Sequence, residues 1–517
     1  MLKEKEFTRG GVIDIGTNSV KLVLAERART DIAILESLKN IVPLGKDLFL
    51  HGRIAHDTIN RTVTILNDYA RKLDEYAIPA IKVIATTAAR EASNRDIFID
   101  TILRRTGFTV EVLTVGDVVY YIDAYLSHKL TGTYPIHEKN VLVAELGGGS
   151  LDISVMSKGY ILMHTGLPLG TLRLKHLLNK LDGSLQERHE ALGEYIRNEF
   201  LSLRKNLPLV AIDDVLLIDE SHTPYLGRLL PARRDAGAFF SLAREDTEAL
   251  RACVIDKTSE DIADDYQVPP EVAGILPGYV MIIEMFGEIS DNKTVHLFDV
   301  SLSEAVMAGM LLDYSVMPRY DKSQQLRQMA RAICAKYRVD LKHVEHVAMI
   351  AEQLFASVSE VMGLKSNDGL YLMLAAYLHD IGGFIHNRSH HKHAEYVIAN
   401  LNLSRLAEDE IKVIACIARY HRKGNPSDTH LLYRSLSRDR QMLVQKMSAI
   451  LRIANALDSS HRGKVKRVEV KTGTAADMTL IAHVEGNFQL EKLYFSEKKE
   501  MFESISGHRI SFKLHTE

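Results

Sequence analysis

One pattern occurs twice in this 517-residue chain, and it limits the fold more than any bulk property. "GVIDIGTNSVKLVL" (11–24) and "VLVAELGGGSLDISV" (141–155) each run through an apolar strand, an acid, a turn of small residues and a second apolar strand. Such a run reads as a β-hairpin with a polar tip. In both copies the acid stands two residues before the glycine that opens the turn, Asp14 before Gly16 and Glu145 before Gly147. Glycine costs backbone entropy, so the consecutive Gly147, Gly148 and Gly149 point to something that must approach the main chain closely. Two copies imply two lobes, each presenting a loop of N–H groups to one shared ligand.

Phosphate is the ligand such loops suit. Glycines remove Cβ interference, successive N–H groups line a concavity, and the hydroxyls of Thr17, Ser19 and Ser150 beside Asn18 add polar groups. The flanking Asp14 and Glu145 are placed to hold a divalent cation that screens phosphate charge.

Bulk composition narrows the partners. A net charge of -3 predicts neither nucleic-acid binding nor attachment to an anionic membrane. No stretch reaches the roughly 18 apolar residues of a membrane span, and the N-terminus has no apolar leader core. Cys253, Cys334 and Cys416 lie far apart, which suits a reducing, cytoplasmic setting rather than a disulfide framework. At this length several domains are expected.

Along the chain, apolar residues at helical spacing (Ile59, Val63, Leu66, Tyr69) predict a helix over 56–77. Strands are expected at "IKVIA" and "FTVEVLTVG", and the turn-rich "TGTYPIHEK" (131–139) marks a boundary. From about Ser315 helix follows helix, and the tail from 466 returns to strand alternation as a small β-containing appendage.

"DIGTNS", "ATTAAREASN", "AELGGGSLDI", "GLPLGTLRL" and "ILPGYVMIIEM" resemble, in order, the motifs of the exopolyphosphatase and guanosine pentaphosphate phosphatase family, in its long form with a C-terminal HD-type domain. The resemblance implies an α/β fold of two ribonuclease-H-like lobes of the actin and sugar-kinase superfold (1–130 and 131–314). An all-α HD-type helical domain (315–465) and the C-terminal appendage (466–517) follow. It implies Mg2+- or Mn2+-dependent release of terminal orthophosphate from polyphosphate, or of the 5′ phosphate from guanosine pentaphosphate, by a homodimer. The implied phosphate ligands are Gly16, Thr17, Asn18 and Ser19 with Gly147, Gly148, Gly149 and Ser150; Asp14 and Glu145 hold the metal. Arg90 matches the arginine between the lobes, and Asp152 stands where the family has a longer glutamate.

Three stretches depart from the family pattern. "LTVGDVVYY" (113–121) puts Val118, or Asp117, at the position of the glutamate that takes a proton from the attacking water, and valine cannot do so. Asp117 and Asp152 are the substitutes within the sequence. "LLIDESHTPYL" (216–226) and "VSLSEAVMAGM" (300–310) lack the glycine turns expected there. In the helical part, His343, the pair His379–Asp380 and a late acid resemble the HD-type ligand pattern. Asn455 takes the place of the usual aspartate, and Asp458 three residues on is its substitute, with His386, His390, His391, His393 and His421 in support. Imidazole plus carboxylate suits a second divalent metal. The alternative to a cleft hydrolase is a regulatory protein whose lobes bind polyphosphate or a guanosine alarmone, with any metal-dependent hydrolysis in the helical domain.

Overall fold

The computed structural model of the chain describes residues 8–219, 222–230, 240–289, 294–312, 321–422, 424–473 and 477–516. They divide into two compact units, the first ending at Asp321 and the second beginning at Lys322. The expected edge at 314/315 lies outside the described residues.

The first unit is built on two sheets. β1 (Arg9–Ile15), β2 (Ser19–Ala28), β3 (Asp31–Ile41), β4 (Ile81–Ala85) and β5 (Val110–Val112) form one, in the order β3-β2-β1-β4-β5. β6 (Asn140–Leu146), β7 (Leu151–Ser157), β8 (Tyr160–Leu167), β9 (Asp214–Ile218), β10 (Phe240–Leu242) and β11 (Val295–Phe298) form the other, in the order β10-β11-β9-β6-β7-β8. In each sheet the strand before the small-residue loop is antiparallel to the one after it and parallel to its other neighbour. β1 and β6 are covered on both faces, which is why they read as continuous apolar runs rather than alternating ones. The sole break inside either buried run is the acid, Asp14 in β1 and Glu145 in β6. Each sheet has its own apolar core, one around Ile13, Leu22 and Phe98, the other around Leu142, Ile153 and Phe286.

Chain order and packing part company at one place. The helix Leu302–Leu311, late in the first unit, packs on β1, β2 and the helix Val115–Lys129, and the latter packs in turn on β7 and β8. Inside that second helix Asp123 is fully buried and accepts a hydrogen bond from Ser154 Oγ at 2.8 Å. Burial pushes its carboxyl up to about 8, against the hydrogen bond from Ser154. A folded pKa above the unfolded value near 3.9 gives stability that is fully present below about pH 4 and is lost as pH rises through 8. Asp123→Asn, which keeps the shape, is expected to remove this loss. Between pH 5.5 and pH 8 the variant should gain on the order of 3 kcal/mol relative to wild type in paired thermal melts. A wild-type-to-variant difference that does not move with pH would refute the assignment.

The second unit gathers the helices Lys322–Lys336, Leu341–Val358, Gly369–Leu378, His390–Ala399, Glu408–Arg419 and Arg438–Ala456 with a three-stranded sheet. That sheet is β12 (Val465–Thr472), β13 (Asp477–Val484) and β14 (Arg509–Thr516), in that order. The tail is not the separate appendage the sequence suggests. Val468 N donates to Gln353 Oε1 at 2.7 Å and His346 Nε2 lies 2.7 Å from Val465 O, so β12 docks on the helix Leu341–Val358.

Candidate functional site

The two loops repeat each other in hydrogen bonding as well as in sequence. Gly16 N donates to Ser19 O at 2.9 Å, and Gly147 N donates to Ser150 O at 3.0 Å. Strand register then sets Asp14 opposite Lys21 and Glu145 opposite Asp152. The second loop is oriented from behind. Thr171 N reaches Gly147 O at 3.0 Å, Leu172 N reaches Gly148 O at 3.0 Å, and Arg173 Nε reaches Gly149 O at 2.8 Å. No peptide among the described residues is cis, and the N–H of a trans peptide points opposite to its carbonyl. Tying three carbonyls to the start of the helix Thr171–Leu178 therefore turns the N–H groups of Gly148, Gly149 and Ser150 the other way. The two loops approach one another at Gly149, where a methyl would lie 2.9 Å from Thr17 Oγ1 and 2.7 Å from Thr87 Cγ2. Thr87 Oγ1 and Ser150 Oγ are hydrogen-bonded at 2.8 Å. Gly149 is thus required by close approach of Thr17 and Thr87, whereas a methyl on Gly147 would meet nothing nearer than Ser150 O at 3.5 Å.

Both loops line one cavity of about 720 Å³ with Asp14, Glu145, Asp152 and Asp219 on its wall and Lys21, Lys39 and Lys175 around it. Burial first, and then the carboxylates of Asp152, Asp14 and Asp219, push Glu145 well above the usual range. Asp152, buried on β7, is also raised by burial, against Arg90 and Ser150, which favour its charged form. A buried group of acids whose charges oppose one another is an oxygen-rich donor set, and it fits a hard divalent cation such as Mg2+ or Mn2+. Ser303 Oγ donates to Asp14 Oδ2 at 3.2 Å.

Of the expected catalytic side chains, two stand beside one another and one does not join them. Arg90 Nη2 lies 3.8 Å from Asp152 Oδ2, but the guanidinium is otherwise spent on Leu113 O at 3.0 Å and Thr87 Oγ1 at 3.3 Å. It flanks the cavity rather than lining it. Asp117 has to be corrected: it is the third residue of the helix Val115–Lys129, and its Oδ2 accepts from Thr114 N at 2.9 Å and Thr114 Oγ1 at 2.7 Å. A capping box holds it at the helix start, outside the cavity wall. Val118 is on that wall, and it is buried.

The sequence reading missed Asp219. Where a glycine turn is expected after β9, this buried acid follows the last strand residue directly, accepts from His222 N at 3.1 Å and Thr223 N at 3.0 Å and pairs with His222 Nδ1 at 2.9 Å. An acid within one residue of the end of an apolar strand, the same signal as Asp14 and Glu145, was there to be read; Glu220 and Ser221 lie outside the described residues. The other glycine-poor stretch needs no turn: Ser301 caps the helix Leu302–Leu311, and Val300, Ser301 and Leu302 line the cavity.

The second unit brings His343, His379 and Asp380 together and adds two residues the sequence gave only as support. His343, His379 and Asp380 can offer one ligand atom each within 4.8 Å of one another, and so can Asp380, His390 and His421. Burial lowers the pKa of His379 and of His421. Asp458 is not in either group. It accepts from His343 Nδ1 at 2.7 Å and pairs with His346 Nδ1 at 3.0 Å, so it aims a ligand instead of being one. His386 faces outward and accepts from Arg388 N at 2.9 Å.

A sequence profile of the Ppx/GppA phosphatase family matches residues 22–314, and one described as Ppx/GppA phosphatase, domain III, matches residues 326–497. A guanosine-5'-triphosphate,3'-diphosphate pyrophosphatase of Pseudoalteromonas translucida is 24% identical over 461 residues, 86% of either chain. Its counterpart from Pseudoalteromonas atlantica is 24% identical over 464 residues, 85% of this chain and 86% of that one. Among solved structures, a Ppx/GppA family member of Aquifex aeolicus covers 59% of this chain and 98% of its own, with a TM-score of 0.51 at 23% identity. An exopolyphosphatase from Cytophaga hutchinsonii covers 59% and 97%, with a TM-score of 0.52 at 21% identity. At that distance the two structures show a shared fold. No helix among the described residues is long and apolar enough to cross a membrane.

Proposed function

This chain belongs to the Ppx/GppA phosphatase family, and from that premise we propose that it removes the terminal phosphate of a linear phosphoanhydride in the cleft of its first unit. Inorganic polyphosphate and guanosine pentaphosphate are the two substrates. The supporting observation is that two N–H loops, 16–19 and 147–150, share one cavity with the carboxylates of Asp14, Glu145, Asp152 and Asp219.

In this reading the loops take the phosphoryl oxygens, and Lys21, Lys39 and Lys175 meet the charge of a longer polyanion. Asp14 and Glu145, with Asp152 and Asp219 beside them, would hold Mg2+ or Mn2+, which when bound neutralises phosphate charge and polarises the P–O bond. Water attacks the terminal phosphorus, the bond to the bridging oxygen breaks, and the water proton passes to a carboxylate. With Asp117 tied into its cap and Val118 on the wall, Asp152 is the acid left for that proton, oriented by Arg90.

General-base assistance is worth about 10² to 10⁴ in rate, so a valine at this place predicts slow turnover. Val118→Glu is expected to raise kcat for orthophosphate release by at least ~10-fold with KM little changed. Loss of all release in His379→Gln, with no gain in Val118→Glu, would move the chemistry out of the cleft. The valine also supports the second reading, a cleft that binds the polyanion and rarely cuts it. Submicromolar polyphosphate binding without measurable release would favour that one.

A further inference from the structure

The helix Leu276–Ile289 is buried and apolar over most of its length, and its only charged residues, Glu284 and Glu288, stand near its end. A carboxylate carried on such a helix is costly unless it has partners. Glu284 lines two adjoining hollows of about 320 Å³ and about 410 Å³, which the helices Leu185–Asn206 and Arg244–Val254 help to wall. Neither hollow shares a residue with the cleft cavity.

The charges around Glu284 are of both signs and are incompletely paired. Arg251 Nη1 donates to Glu284 Oε2 at 2.8 Å, while Glu284 Oε1 takes no hydrogen bond among the described residues. Arg197 lines both hollows beside them, and among the described residues its guanidinium is in no hydrogen bond or ion pair. Burial holds the Glu284 carboxyl above its usual range, against the guanidinium groups of Arg251 and Arg197. In the smaller hollow Arg197, Arg244 and Arg251 face Glu248, Glu284 and Glu288. A ligand of one sign meets as much repulsion as attraction there, whereas a zwitterion is attracted at both ends.

Two glycines keep the hollows open. A methyl on Gly193, inside the helix Leu185–Asn206, or on Gly287, inside Leu276–Ile289, would meet nothing within 4 Å. Glycine is the poorest helix former after proline and alanine would fit at both places, so packing within the protein gives no reason for either. Gly193 stands one turn before Arg197 on the wall of the larger hollow, and its missing side chain leaves room in front of the guanidinium. Met281, Met285 and Ile255 line the same hollow and make part of its wall apolar.

We propose that this groove of the first unit binds an apolar α-amino acid as its zwitterion, with the carboxylate on Arg197, the ammonium on Glu284 Oε1 and the side chain against Met281, Met285 and Ile255. A carboxylate on a free guanidinium forms the bidentate, charge-assisted pair that gives such a ligand its orientation. The test is isothermal titration calorimetry on the full chain, with L-leucine as the probe and isocaproate, isoamylamine and spermidine for comparison. L-leucine should bind with a Kd below ~1 mM, and isocaproate and isoamylamine, each lacking one of its charges, at least ~10-fold more weakly. Arg197→Met, which keeps the apolar stem of an exposed side chain, should weaken L-leucine at least ~10-fold. Gly193→Met, which fills the hollow and favours the helix, should abolish binding; circular dichroism checks the fold of both variants. No binding of L-leucine up to ~10 mM, or an equal Kd in wild type and Arg197→Met, overturns the site. Spermidine or isoamylamine binding as tightly as L-leucine overturns the zwitterion.

Discussion

Gly170→Ala is expected to lower kcat/KM for orthophosphate release by ~10² or more. The added methyl would stand 2.3 Å from Gly149 C and 2.4 Å from Gly149 N and Ser150 N. These are main-chain atoms of the 147–150 loop, which cannot swing aside as a side-chain end can. Gly170 has φ -63° and ψ 148°, a conformation open to any residue, so the effect is one of space and not of backbone freedom. Either the loop moves, or the helix Thr171–Leu178 withdraws and releases Gly147 O and Gly148 O, and both outcomes re-aim the N–H groups. Overpacking of this kind costs about 1–3 kcal/mol, so the protein should remain folded while turnover collapses. Steady-state kinetics beside a thermal melt reads both quantities; less than a threefold fall in kcat/KM in a folded variant would contradict the role given to this contact.

The largest loss of stability is expected from Asp458→Ala. This carboxylate is buried, accepts from His343 and from Gly463 N at 2.9 Å, and pairs with His346. Burial alone would raise its pKa, but the hydrogen bonds from His343 and His346 hold it well below the usual range. Removing one partner of a buried, hydrogen-bonded pair costs about 3–5 kcal/mol, because the groups left behind remain out of water. The sign with pH follows from the depressed value. The carboxylate's contribution is present above the unfolded pKa near 3.9 and is lost as pH falls through the folded one, so the penalty at pH 7 should shrink in acid. Hydrogen exchange of the helix Leu341–Val358 at pH 7 and at about pH 2.5, below the unfolded value, reads the difference; equal protection in wild type and variant at pH 7 would contradict it.

Much of the cleft was legible in the sequence because its parts are local. Asp14 and Gly16, or Glu145 and Gly147, are neighbours whose spacing fixes a turn, and the turn fixes the hydrogen bond that closes it. Asp117 was misread for the opposite reason. An acid three residues after a threonine is both a plausible base and a capping box, and only the helix start at Val115 decides between them. Asp219 was hidden by an expectation of glycine, although an acid within one residue of the end of a buried strand marks all three cleft strands. In the second unit the histidines were visible singly. That His390 and His421 join His379 around one carboxylate depends on helices brought together by long-range packing, for which residue spacing holds no signal.

The way the rings of His343, His379, His390 and His421 are aimed has a consequence for how this cluster can be lost over time. Three of them are oriented by carbonyl oxygens of the main chain, at Ala376, Ala418 and Asn387, and no substitution of those side chains takes the oxygen away. His343 alone relies on a side chain, Asp458, which one nucleotide change can remove. Mutational drift therefore has an unequal landscape here: around three rings the supporting oxygen survives any substitution that keeps its helix, buried Ala376 and Ala418 being limited by packing alone, while around the fourth a single lineage-level accident at residue 458 would leave the histidines in place and their common aim gone.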